Sequence, residues 1–91
     1  MISKSILFYW SKGAKVRMDI LIIINKFNQE NKPCFLNVIA NKLKISHVGT
    51  KKHVDLLIEE KYIQQINPKG KPIYLELSKL GKEILEELKK K

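Results

Sequence analysis

Apolar residues recur at helical spacing in four stretches of the chain and alternate in a fifth. Between residues 15 and 28, Val16, Ile20, Ile24 and Phe27 recur at steps of four and three, which puts them on one face of a helix. Leu21, Ile22 and Ile23 fill other faces of the same helix, so it needs cover on most sides, part of it expected from a partner subunit. A polar loop over 28–33 ends at Pro33. The pattern then predicts a short helix over 37–43, with Asn37 as candidate N-cap and Val38, Ile39, Ala40 and Leu43 wholly or partly inward. Lys44-Ile45-Ser46 is a tight connection. Ser46 is the candidate N-cap of a longer helix reaching residue 60, whose inner face is Thr50, Val54, Leu57 and Ile58.

The period then changes. Residues 62–66 and 73–77 read as strands either side of Asn67-Pro68-Lys69-Gly70-Lys71-Pro72, with Ile73, Leu75 and Leu77 alternating along one face. Ser78 can cap a last helix in which Leu80, Ile84 and Leu88 recur every four residues. Its closing Lys89-Lys90-Lys91 suits the negative end of the helix dipole. Upstream, the run Ile6-Leu7-Phe8-Tyr9-Trp10 shows neither clean period and reads as a short helix or an arm.

Two helices joined by about three residues, the second opened by Ser, form a helix-turn-helix. With the hairpin and the terminal helix, the expected architecture is α+β, mostly α: a winged helix-turn-helix with a three-helix core, a β-hairpin wing and a C-terminal helix. All 91 residues are expected to form one domain, with 1–13 as a candidate dimerisation segment.

Charge turns this fold towards a partner. Lys and Arg total 18 against 9 acidic residues, a net +9 spread along the chain rather than confined to a tail. Such an excess favours a polyanion, because each Lys that neutralises a phosphate releases condensed counterions. A merely solvated, lysine-rich surface is the competing reading. The longest apolar runs, 6–10 and 20–24, are five residues each, against the ~18 needed to span a bilayer, and no signal peptide is legible. The single cysteine, Cys34, precludes an internal disulfide, and a cytoplasmic, nucleoid-associated location is expected.

Four segments carry a family resemblance. They are Ile39-Ala40-Asn41-Lys42-Leu43-Lys44-Ile45-Ser46; His53-Val54-Asp55-Leu56-Leu57-Ile58-Glu59-Glu60-Lys61-Tyr62-Ile63; Gly70-Lys71-Pro72-Ile73-Tyr74-Leu75-Glu76-Leu77-Ser78-Lys79-Leu80-Gly81; and Ser11-Lys12-Gly13 with Arg17-Met18-Asp19-Ile20-Leu21. In this order, over about residues 11–88, the chain resembles winged-helix transcription regulators of the MarR, ArsR and PadR groups, small archaeal members above all. The resemblance implies a dimer on double-stranded DNA. Lys44 and Lys61 stand where such regulators often carry Gly, at positions expected to be left-handed. The paired cysteines of ArsR-type metal sensors are missing, so metal sensing is not carried over.

The second helix of a helix-turn-helix enters the major groove by its N-terminal residues, here His47, Val48, Gly49, Lys51 and Lys52, with Asp55 one turn on. Lysines can bond guanine acceptors or phosphates, Val48 can touch a thymine methyl, and Gly49 allows close approach. A solvated face with Lys51 paired to Asp55 is the alternative. Lys69, Gly70 and Lys71 at the hairpin tip suit the DNA backbone or minor groove. Arg17, beside Lys12 and Lys15 at the start of the first long helix, is expected on phosphate. His47, His53 and Cys34 lack metal-site spacing, so neither metal nor cofactor is expected. No acid, base and nucleophile grouping and no Gly-rich phosphate loop is legible, which argues against an enzyme. No small-molecule ligand can be inferred. The competing functions are an architectural DNA-coating protein and a winged-helix protein–protein adaptor.

Overall fold

A computed structural model describes residues 6–10, 13–67 and 73–89. A wide helical turn, Ile6–Trp10, precedes α1 (Ala14–Gln29), β1 (Cys34–Phe35), α2 (Leu36–Leu43), α3 (His47–Glu59), β2 (Ile63–Gln65), β3 (Tyr74–Leu77) and α4 (Lys79–Lys89). The three strands form an antiparallel sheet in the order β1-β3-β2. This is the winged helix-turn-helix architecture that the hydrophobic pattern predicts.

Helix α1 is the axis of the core. Ile20, Leu21 and Ile24 are fully buried, while Val16, Ile23 and Phe27 are half-buried and Ile22 stays exposed. Leu7 and Phe8 of the N-terminal turn are buried in this chain's own core, and the Phe8 ring meets Tyr62 edge-on at 5.1 Å. Two large side chains of the candidate dimerisation segment are thus packed internally.

The pattern misses β1, because two residues are too few to show alternation. Cys34 pairs with Leu75 and Phe35 with Tyr74. This pairing also moves the start of α2. The helix opens at Leu36, with Phe35 in the cap position, and Asn37 is an exposed residue of the first turn rather than the cap. The Leu36 N–H donates to the Ile73 carbonyl at 3.3 Å. An N–H left without an intrahelical partner at the helix start is thus satisfied by the residue that leads into β3. Beyond the end of β1, the Asn28 side chain takes over: its Oδ1 accepts from the Leu77 N–H at 3.0 Å and its Nδ2 lies 3.5 Å from the Leu75 carbonyl.

The Ser78 cap forms as expected, its Oγ accepting from the Gly81 N–H at 3.0 Å. The inner face of α4 differs from the expected stripe. Gly81, Ile84 and Leu85 are buried and Leu88 is half-buried, but Leu80 is exposed. The rotation follows from a close approach: a Cβ on Gly81 would lie 2.1 Å from the Tyr62 carbonyl oxygen. Glycine lets the first turn of α4 sit directly on the exit of α3, which turns Leu85 inward and Leu80 outward.

Candidate nucleic-acid interface

The turn between α2 and α3 is fixed by backbone geometry. Lys44 adopts φ 57° and ψ 38°, the left-handed conformation that terminates a helix. Ile45 N–H donates to the Ala40 carbonyl at 3.2 Å and Lys44 N–H to that of Asn41 at 3.3 Å. Lys61, at φ 71°, ends the exit from α3 in the same way. Both are positions where Gly is the common solution, and here Lys accepts the steric cost.

Ser46 caps α3 as expected. Its backbone is extended and its Oγ accepts from the Gly49 N–H at 3.0 Å. Thr50, Val54 and Leu57 are buried and Ile58 is half-buried, so α3 is anchored by the face that its pattern specifies. Thr50 adds a bond from its Oγ1 to the Ser46 carbonyl at 2.9 Å. Anchoring this face leaves the opposite one in solvent. His47, Val48, Lys51, Lys52 and Asp55 are all exposed and Gly49 is half-exposed. Val48, at 68% exposure, is the most exposed large apolar side chain among the described residues. Burial of an isolated valine this open is not needed for folding; its methyls are free for a partner. Lys51 Nζ donates to Asp55 Oδ2 at 2.8 Å along the same face.

Arg17 does not face solvent as its sequence position suggests. It is buried, at 7% exposure, and its Nε donates to the Leu7 carbonyl at 2.8 Å. A second guanidinium nitrogen lies 3.2 Å from His53 Nδ1. The phosphate contact expected of Arg17 is replaced by an internal one, which ties the N-terminal turn to the middle of α3. Its position in sequence, at the start of a helix and among other basic residues, gave no sign of this. The acceptor geometry requires His53 neutral at Nδ1, and burial followed by the Arg17 charge holds the His53 pKa below its ordinary value.

Lys69, Gly70 and Lys71 lie outside the described residues, as do Lys12 and the Lys90-Lys91 end. The hairpin is defined up to its base, where Asn67 Oδ1 accepts from the Tyr74 N–H at 3.0 Å and Gln65 Nε2 donates to the Asn67 carbonyl at 2.8 Å. Cys34 is buried in β1, where desolvation pushes its thiol up to about 11. Among the described residues, no group of three or more His, Cys, Asp or Glu side chains is placed to hold a metal ion. No described helix is long and apolar enough to cross a membrane.

No family model and no curated protein matches the sequence. Solved structures do match. The chain superposes on AF1382 from Archaeoglobus fulgidus with a TM-score of 0.76 at 18% identity, covering 92% of this chain and 89% of that one. It superposes on Lactococcus lactis ZitR with a TM-score of 0.68 at 20% identity, covering 87% of this chain and 52% of that one. For the adhesin competence repressor AdcR of Streptococcus pyogenes the values are 0.68 and 18%, with 91% and 56% covered. The chain thus spans about half the length of the two bacterial proteins and nearly all of the archaeal one. At this identity the likeness establishes the fold.

Proposed function

We propose that this chain is a DNA-binding transcription regulator that lays α3 in the major groove and its 69–71 wing on the adjacent backbone or minor groove. The observation that carries the reading is the division of α3 into two faces. Thr50, Val54 and Leu57 are buried, while His47, Val48, Lys51 and Lys52 stand in solvent at the N-terminal end, where a recognition helix meets base edges. The net charge of +9 supplies the sequence-independent attraction. The fold shared with AdcR, a repressor, is consistent with this role. Arg17 supports the helix from beneath, and the lysines make the contacts.

The test is duplex binding as a function of salt. Wild-type protein should bind at ~50 mM salt with a steep log–log slope, and Lys52→Ala should flatten that slope by about one unit for a lost phosphate contact. No binding at low salt would end the reading. An architectural protein would share the slope but not the preference, so the ratio of specific to nonspecific affinity separates the two.

The regulator reading includes a homodimer. Ile22 on α1 and Leu80 on α4 remain 45% and 42% exposed, apolar surface that a second subunit could cover. Such a dimer would present two copies of α3 about one DNA turn, ~34 Å, apart and read a two-fold symmetric site. Light scattering at micromolar concentration should return twice 10.6 kDa; the monomer mass would remove the symmetric site with the dimer.

A further inference from the structure

The exposed face of α3 carries two carboxylates that attraction to a polyanion does not explain, Asp55 and, one turn further on at the C-terminal end, Glu59; Asp55 is the one beside the lysines. Within α3, His47, Lys51 and Asp55 follow one another at steps of four, along a single row turned away from the buried Thr50, Val54 and Leu57. Asp55 is therefore carried towards whatever Lys51 meets. In solvent it holds Lys51 at 2.8 Å, with both side chains about half exposed. An exposed pair of this kind adds only a few tenths of a kcal/mol to a helix, and its acid would repel phosphate.

We propose that Asp55 is a specificity-determining residue, which with Lys51 reads a G·C base pair in the major groove; this rests on the regulator reading above. Donors and acceptors match across the pair. A carboxylate can only accept, so it cannot bond phosphate oxygens or guanine O6 and N7. Cytosine offers it the N4 amino donor, and the paired guanine offers O6 and N7 to an ammonium. The Lys51–Asp55 pair already places a donor beside an acceptor, in the arrangement that the two halves of a G·C pair present side by side. Asp55 also prevents Lys51 from treating every phosphate alike, because Asp55 can release Lys51 without loss only where a base supplies a replacement donor. Affinity for arbitrary DNA is lowered and choice of sequence is gained.

The experiment is selection of bound duplexes from a random pool with the full chain, for wild type, Asp55→Ala, Asp55→Asn and Lys51→Ala, followed by affinities on the selected and a scrambled duplex. Asp55 is exposed, so the variants should keep the wild-type circular dichroism spectrum and melting temperature. Wild type should select a G·C pair at a fixed position in each half-site. Asp55→Ala should relax that position, losing about five- to hundredfold in discrimination while binding scrambled DNA more tightly. Lys51→Ala should relax the same position, and Asp55→Asn should shift it towards adenine, the base that Asn reads. An unchanged consensus for Asp55→Ala would overturn the proposal and leave the regulator reading standing. Wild-type binding without any consensus would overturn it in favour of an architectural protein, and absence of binding would overturn both.

Discussion

Adding a single methyl group at Gly81 tests the packing of α4 on the exit of α3. The Cβ of Gly81→Ala would stand 2.1 Å from the Tyr62 carbonyl oxygen and 3.1 Å from its carbon, so α4 must withdraw by about 0.9 Å merely to reach the closest separation real Cβ atoms show. That oxygen accepts from the Ser78 N–H at 3.1 Å and from the Ser78 hydroxyl at 2.9 Å. Withdrawing α4 strains both bonds together with the cap itself. Overpacking of this kind costs about 1–3 kcal/mol and each weakened hydrogen bond about 1 kcal/mol. Helix propensity works the other way, since Ala is favoured over Gly by up to about 1 kcal/mol. The net loss is about 2–4 kcal/mol, which in a domain of this size lowers the melting temperature by about 10–30 °C. Thermal unfolding followed by circular dichroism reads it directly. The two effects have opposite signs, so the outcome is decisive: a variant as stable as wild type, or more stable, would show that the close approach does not exist.

His53 ties stability to pH: its folded pKa is lowered, so the contribution is complete above about 6.5 and is lost as pH falls through the lower folded value. Wild type should therefore lose melting temperature on acidification from pH 7 more steeply than His53→Gln, and parallel curves would refute the link. Arg17→Met should cost about 2 kcal/mol in a urea titration, because the buried Leu7 carbonyl loses a charged donor; a neutral result would mean that Arg17 can swing out to solvent. Lys61→Gly should raise the urea midpoint, by about 0.5–1 kcal/mol of stability, since φ 71° is costly for Lys and free for Gly. Changing Lys69 and Lys71 together to Ala should weaken binding to all duplexes by similar factors, since backbone contacts position rather than specify; loss confined to one sequence would make the wing a base reader.

Most of the interface scaffold was legible in the chain itself. The Ser46 and Ser78 caps, the buried Thr50, Val54 and Leu57, the left-handed Lys44 and Lys61 and the pairing of the two hairpin strands all rest on interactions within a few residues or on a repeating period. Such features are fixed by local sterics and hydrogen-bond geometry, so short stretches of sequence specify them. The tertiary structure decided where a residue's options were equal locally. Cys34 and Phe35 become a strand because Leu75 and Tyr74 lie beside them. Helix α4 turns Leu85 rather than Leu80 inward because Gly81 meets Tyr62. Arg17 goes inside because a carbonyl of the N-terminal turn and an imidazole of α3 converge on it. A guanidinium at the start of a helix can bond a phosphate or a buried carbonyl equally well, and only groups ten and thirty-six residues away in the chain determine which acceptor it finds.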